Sequence, residues 1–181
     1  HVSAVGFDPV DPNVMYLGSE WGVFRSADGG ARFTKVSPAD YIAAVTVAPS
    51  NPSIVYAPFH PGYGSRESGL YRSVDRGLTW TTIATNLPSG LRITKLVIHP
   101  TDPQTLYLVS GTDLFITDAL PSAWKSTDGG ATWARIGSQL GNVWDLSQDP
   151  ASAQTLYATT SGPGATWKST DGGATWTQKG S

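Results

Sequence analysis

Four aspartates, Asp28, Asp75, Asp128 and Asp171, recur at intervals of 43 to 53 residues, each inside the same short segment. The segments are Ser26–Phe33, Ser73–Trp80, Ser126–Trp133 and Ser169–Trp176, with the shared pattern S-x-D-x-G-x-(T/R)-(W/F). A carboxylate repeated this way could bind calcium or work as an acid or base. Calcium needs at least about six oxygens gathered in one loop, and each segment brings a single acid. A glycosidase needs two carboxyls about 5–10 Å apart across a cleft. Four acids in four separate repeats do not form a pair by spacing alone. The pattern instead suits a turn whose Asp accepts hydrogen bonds from the turn's own N–H groups. Gly30, Gly77, Gly130 and Gly173 stand at the shared glycine and are expected to take φ > 0, where a Cβ is costly. Arg76 replaces the preceding glycine, so that position reads as less constrained. Phe33, Trp80, Trp133 and Trp176 end the segments and are expected to bury a large ring between repeats.

The elements that hold these turns follow from a second repeat. Pro9, Pro49, Pro100 and Pro150 are each followed seven residues later by Tyr16, Tyr56, Tyr107 and Tyr157. That interval is constant, whereas the stretch from Tyr to Asp varies. Each unit therefore reads as four strands, a to d, with the fixed turn between a and b and the Asp turn between c and d. Strand a falls at roughly 2–7, 41–48, 92–98 and 142–148. Alternation in Val45-Thr46-Val47 and Leu96-Val97-Ile98 points to strands with one buried face. No helical period is sustained. Repeated four-stranded units of this length are the mark of propeller blades. The expected fold is all-β, a β-propeller of four blades at approximately 1–38, 39–90, 91–140 and 141–181. The blades could form a closed small ring, half of a ring, or a fragment of a larger propeller. The register runs from strand a to just beyond strand d, so no spare strand locks the ring. An open arc would expose apolar faces and associate.

The Asp segment resembles the Asp-box, or bacterial neuraminidase repeat, of sialidases, xyloglucan-degrading glycoside hydrolases, sortilin-type receptors and a photosystem II assembly factor. The Gly69-Leu70-Tyr71-Arg72-Ser73 run with its box looks most like the hydrolase and photosystem branches. In that family the boxes are structural and lie away from the active sites. The resemblance implies a propeller strongly and a function weakly. A sialidase would need an arginine cluster, and outside the repeat-encoded and box positions only Arg66, Arg92 and Arg135 remain. The xyloglucan-degrading enzymes form their cleft between two propellers, and this chain has material for at most one.

Composition narrows the remaining classes. The chain of 181 residues is 39% hydrophobic and 14% charged, with net charge −2. Its twelve basic residues form no stripe, so nucleic acid is a poor partner. No apolar run reaches the ~18 residues of a membrane span. There is no cysteine, hence no disulfide or thiolate site. No cofactor or metal is implied.

Variable loops lie between strands b and c, so the face carrying them is the expected binding face. Its candidates are Glu20 and Trp21 in blade 1, His60, Tyr63, Arg66 and Glu67 in blade 2, and Asp113, Phe115 and Asp118 in blade 3. Tyr41, Arg92, Asn142 and Trp144 begin the strands a, near the channel, with Trp144 expected in the core. Trp21, Tyr63 and Phe115 have the ring faces to stack on sugars or anchor a protein. The favoured expectation is a non-catalytic module, secreted, periplasmic or on the cell surface, that recognises a protein partner or a glycan. The alternative is a segment of a larger Asp-box glycoside hydrolase acting on polysaccharide. Association into a homo-oligomer, or further blades, would complete the ring.

Overall fold

The computed structural model describes residues 1–37, 41–60, 68–83, 85–88, 91–111, 122–161 and 165–180. Its strands make four antiparallel sheets in sequence order. Blade 1 is β1 (Val2–Phe7), β2 (Met15–Ser19), β3 (Gly22–Ser26) and β4 (Thr34–Lys35). Blade 2 is β5 (Tyr41–Ile42), β6 (Thr46–Val47), β7 (Val55–His60), β8 (Gly69–Ser73) and β9 (Thr81–Ile83). Blade 3 is β10 (Arg92–Ile98), β11 (Leu106–Gly111), β12 (Ser122–Ser126) and β13 (Ala134–Ile136). Blade 4 is β14 (Val143–Asp149), β15 (Ser152–Thr160), β16 (Thr166–Ser169) and β17 (Thr177–Gly180). The meander order follows from short turns, since antiparallel neighbours need only a few connecting residues.

Strand a of blade 2 is split into β5 and β6, where the sequence reads as one strand over 41–48. Opposite the gap stands Pro58, which has no N–H to give the ladder. The carbonyl of Pro58 still accepts from the Ala43 N–H at 2.9 Å. In blades 1, 3 and 4 strand a is continuous but bulged at the matching place, after Val2, Ile93 and Val143. The long loop of blade 2 also begins later than its sequence suggests, because His60 still pairs with Tyr41 at the end of β7.

Three apolar cores hold the sheets together, one at each successive interface. Val14, Tyr16 and Val23 of blade 1 pack on Ile42, Val45 and Val47 of blade 2. Tyr56 and Leu70 of blade 2 meet Ile93, Leu96, Ile98 and Trp133 of blade 3. Tyr107, Val109 and Ala123 of blade 3 meet Val143, Leu146 and Trp176 of blade 4. Among the described residues no fourth core joins blade 4 back to blade 1. Strand-a residues that face the preceding blade in blades 2 and 3 are at most 8% exposed, whereas Val2, Val5 and Phe7 in blade 1 are 54%, 51% and 63% exposed. The four blades thus form an arc, and of the ring arrangements the sequence allows, the closed four-bladed ring is not the one observed.

Candidate functional site

The Asp segments form nearly superimposable turns. Each box serine is buried and accepts the N–H of the shared glycine, at 2.8–2.9 Å for Gly30, Gly77, Gly130 and Gly173. Its hydroxyl donates to Oδ1 of the box Asp at 2.7–2.8 Å. That Oδ1 accepts the backbone N–H four residues on, from Arg32, Thr79, Thr132 and Thr175. The hydroxyls of Thr79, Thr132 and Thr175 also donate to Oδ2 at 2.5 Å. Hydrogen bonds to a carboxylate favour its charged form. The threonine hydroxyl, then the backbone and serine donors, hold Asp75, Asp128 and Asp171 down at about 2. Asp28 is lowered by the Arg32 N–H and Ser26 without a threonine hydroxyl. These carboxylates are committed to their own turns. The tryptophan N–H groups close the motif, with Trp80, Trp133 and Trp176 donating to the carbonyl of the shared glycine.

Both residues of the central dipeptide adopt positive φ, and this includes Arg76 at φ 59 beside glycines at 66–72 in the other boxes. The position that reads as relaxed is therefore as tightly set as the shared glycine. Its N–H bonds the fixed turn between strands a and b: Gly29, Arg76, Gly129 and Gly172 donate to the carbonyls of Asn13, Ser53, Gln104 and Gln154. The constant Pro-to-Tyr interval thus sets a docking point for the box. Within three of those turns Asp11, Asn51 and Asp102 accept the N–H two residues on at 3.0–3.1 Å.

Arg76 also joins two blades. Its carbonyl accepts the Tyr16 hydroxyl at 2.8 Å and the Arg25 guanidinium at 2.9 Å. Its own guanidinium lies 3.5 Å from Oδ2 of the fully buried Asp8. Lys125 repeats the theme by donating to the Gly172 carbonyl at 3.0 Å. Burial pushes the phenols of Tyr16, Tyr56 and Tyr107 up, which keeps them as neutral hydrogen-bonding groups at neutral pH.

With the box turns bonded to the a–b turns on one face, the b–c turns and the beginnings of strands a lie on the other. Glu20 and Trp21 occupy the tight b–c turn between β2 and β3, where the Trp21 N–H donates to the Ser19 hydroxyl at 3.1 Å. Trp21 is 64% exposed, and the Glu20 N–H donates to the His1 carbonyl at 3.4 Å. Trp144 is 59% exposed and not in the core. It is the extra residue of the β14 bulge, and a bulge re-aims the side chain that simple alternation would send inward. Nothing in the alternation of the sequence reports that extra residue. Next to it Lys95 of blade 3 donates to Asp145 of blade 4 at 2.7 Å. Tyr63, Arg66, Glu67, Asp113, Phe115 and Asp118 lie outside the described residues. A shallow depression of about 340 Å³ lies between β10 and β14, lined by Lys95, Val97, Ile98, Pro100, Ser147, Gln148, Asp149 and Pro150. It carries one carboxylate, Asp149, and so does not supply the pair a glycosidase needs. The described part of the loop face thus offers two projecting indole rings and an interblade ion pair.

Comparison with known proteins fits this geometry. The family model described as Sortilin-Vps10 (sortilin, neurotensin receptor 3) matches residues 22–160, and the chain belongs to that family of Asp-box propellers. It is similar to a probable oligoxyloglucan-reducing end-specific xyloglucanase of Neosartorya fischeri, 31% identical over 160 residues, covering 80% of this chain and 18% of that protein. Among solved structures it is similar to an ancestral GH74 enzyme, with TM-score 0.74, 22% identity, and 97% of this chain covered against 23% of the other. It is likewise similar to the GH74 xyloglucanase of Xanthomonas campestris, with TM-score 0.72, 24% identity, and coverage of 96% and 29%. The two structural likenesses show the propeller fold. The chain spans about a fifth of the length of the first curated relative.

Proposed function

We propose that this chain is a segment of a larger glycoside hydrolase that acts on xyloglucan-like polysaccharide, and that it supplies propeller blades with a sugar-contacting loop face. The observation that carries this reading is the similarity to a xyloglucanase over 80% of the chain while the chain spans 18% of that enzyme. The projecting rings of Trp21 and Trp144 support it. An exposed indole is costly in water and stacks on the apolar face of a sugar. The acid and base pair of such an enzyme would come from residues of the full protein. A polymer cannot cross a membrane, so the enzyme would work outside the cell. No helix among the described residues is long and apolar enough to span one.

Affinity electrophoresis of the 181-residue chain through xyloglucan-containing gels tests the reading. Retardation by xyloglucan, reduced in Trp144→Ala and Trp21→Ala, is expected. Equal mobility with and without the polymer would overturn it. A second reading, non-catalytic recognition of a protein partner, is favoured by the match to the sortilin family model. It would be supported if the parent protein captured a peptide ligand without hydrolysing xyloglucan.

A further inference from the structure

Three of the four boxes place a glycine directly after the aspartate: Asp28-Gly29, Asp128-Gly129 and Asp171-Gly172. Such a pair can react with itself. The glycine nitrogen attacks Cγ of the aspartic acid, an N–Cγ bond forms, the Cγ–OH bond breaks, and the hydroxyl leaves as water with the amide proton. Water then opens the five-membered succinimide. Attack at the α-carbonyl breaks its bond to nitrogen and leaves the main chain running through Cβ and Cγ, an isoaspartate of unchanged mass. Glycine favours the first step because no Cβ shields its nitrogen. In blade 2 Arg76 follows Asp75 and supplies that shield.

The nitrogen is held alike at the three sites. Gly29, Gly129 and Gly172 donate to the carbonyls of Asn13, Gln104 and Gln154 at 2.9–3.0 Å. All three aspartates are exposed, so water for the second step reaches each. The carboxyls differ. Oδ1 of each accepts the box serine hydroxyl and the N–H four residues on. Oδ2 of Asp128 and of Asp171 also accepts the hydroxyl of Thr132 or Thr175 at 2.5 Å. In blade 1 Arg32 stands in the place of that threonine, and among the described residues neither a hydroxyl nor a guanidinium reaches Oδ2 of Asp28. A clamped carboxyl must give up its donors before Cγ can turn towards the nitrogen, and hydrogen bonds to charged groups are among the stronger ones. We propose that Asp28-Gly29 is a site of spontaneous isoaspartate formation, and that the threonine hydroxyl protects the other Asp-Gly boxes from it. The contrast lies within single boxes, so it does not depend on which blades flank them. The inserted methylene lengthens the main chain between Asp28 and Gly29. It draws the Gly29 N–H from Asn13 and the Gly30 N–H from Ser26, and so opens the box turn of blade 1.

The folded 181-residue chain is aged well below its unfolding temperature and then mapped by peptide fragmentation that distinguishes isoaspartate from aspartate. The map reads each box separately and is independent of the hydrolase reading. Isoaspartate is expected to accumulate at Asp28 at least about fivefold faster than at Asp128 or Asp171. Arg32→Thr supplies the missing hydroxyl and is expected to slow Asp28 about fivefold. Thr132→Val removes the hydroxyl from blade 3 and is expected to speed Asp128 by about the same factor. Circular dichroism before ageing checks that both variants are folded. Equal rates at the three sites, or no isoaspartate at Asp28, would overturn the proposal. So would a rate at Asp28 that Arg32→Thr leaves unchanged, because the place of blade 1 in the chain, not the donor to Oδ2, would then set it. A rate at Asp128 that Thr132→Val leaves unchanged would overturn it equally.

Discussion

Replacing Arg76 with glycine separates backbone conformation from interblade pairing. Arg76 sits at φ 59, a region that costs a residue with a side chain about 1–2 kcal/mol. Glycine removes that strain but gains about 0.4–1 kcal/mol of unfolded-state entropy, so the backbone effect is a small net gain. The bonds from Tyr16 and Arg25 reach the carbonyl and survive the change. What is lost is the guanidinium beside Asp8, whose carboxylate is fully buried. Oδ1 keeps its bonds from the Val10 and Asp11 N–H groups at 2.9 and 3.0 Å, while among the described residues Oδ2 has no hydrogen bond and only the cation 3.5 Å away. Breaking a fully buried pair costs about 3–5 kcal/mol. Arg76 is 38% exposed and its contact is long, so solvent screening reduces this to about 1.5–2.5 kcal/mol. After the backbone gain, Arg76→Gly should destabilise by about 1–2 kcal/mol, read as a fall of roughly 3–7 °C in Tm. Urea unfolding of Arg76→Gly, Asp8→Asn and the double variant should give a coupling of at least about 1 kcal/mol. If Arg76→Gly equals or exceeds the parent in stability, or the coupling is near zero, the interblade clamp is refuted.

The box carboxylates predict an acid transition. Held at about 2 when folded against an ordinary value near 3.8, Asp75, Asp128 and Asp171 contribute stability that is fully present above pH 4 and is lost as pH falls towards 2. Thr132→Val removes a donor to Asp128 Oδ2 and should raise the midpoint of acid unfolding followed by tryptophan fluorescence. Gly130→Ala should cost more than about 2 kcal/mol, because φ is 95 and its Cβ would lie 2.6 Å from Leu70. Gly141→Ala, at φ 70 and ψ −132 with open space around it, should cost about 1–3 kcal/mol in the same urea assay, from backbone strain alone. Tyr16→Phe should lose about 1 kcal/mol with its bond to Arg76. By contrast Tyr107→Phe should be neutral or stabilising, since the Tyr107 hydroxyl is buried without a hydrogen-bond partner among the described residues.

The repeats made the blade plan readable because a turn that bonds to itself leaves the same residue types wherever it occurs. Ser126, Asp128, Gly130 and Trp133 each meet a partner within the segment, so their roles follow from local chemistry. Arg76 was not readable in this way. Its partners, Asp8 and Tyr16, lie in the preceding blade, and only the packing of blades shows why a costly left-handed arginine is kept. Trp144 failed for a different reason. Alternation assigns a side to each residue only while the register holds, and one extra residue in β14 reverses the assignment locally.

The same distinction explains why function is harder to read here than fold. The box turns repeat, so four copies vote on each role. The loop face does not repeat: Ser3, Ala43, Thr94 and Trp144 occupy one position of the bulge with four unlike side chains. A bulge retained in blades 1, 3 and 4 fixes the direction of that side chain and leaves its identity free. A binding surface can therefore change without disturbing a blade. Trp144 is the largest of the four and stands next to an ion pair that ties its strand to blade 3. An indole has only two side-chain torsions to fix, so ordering an exposed tryptophan ring against a partner costs little conformational entropy.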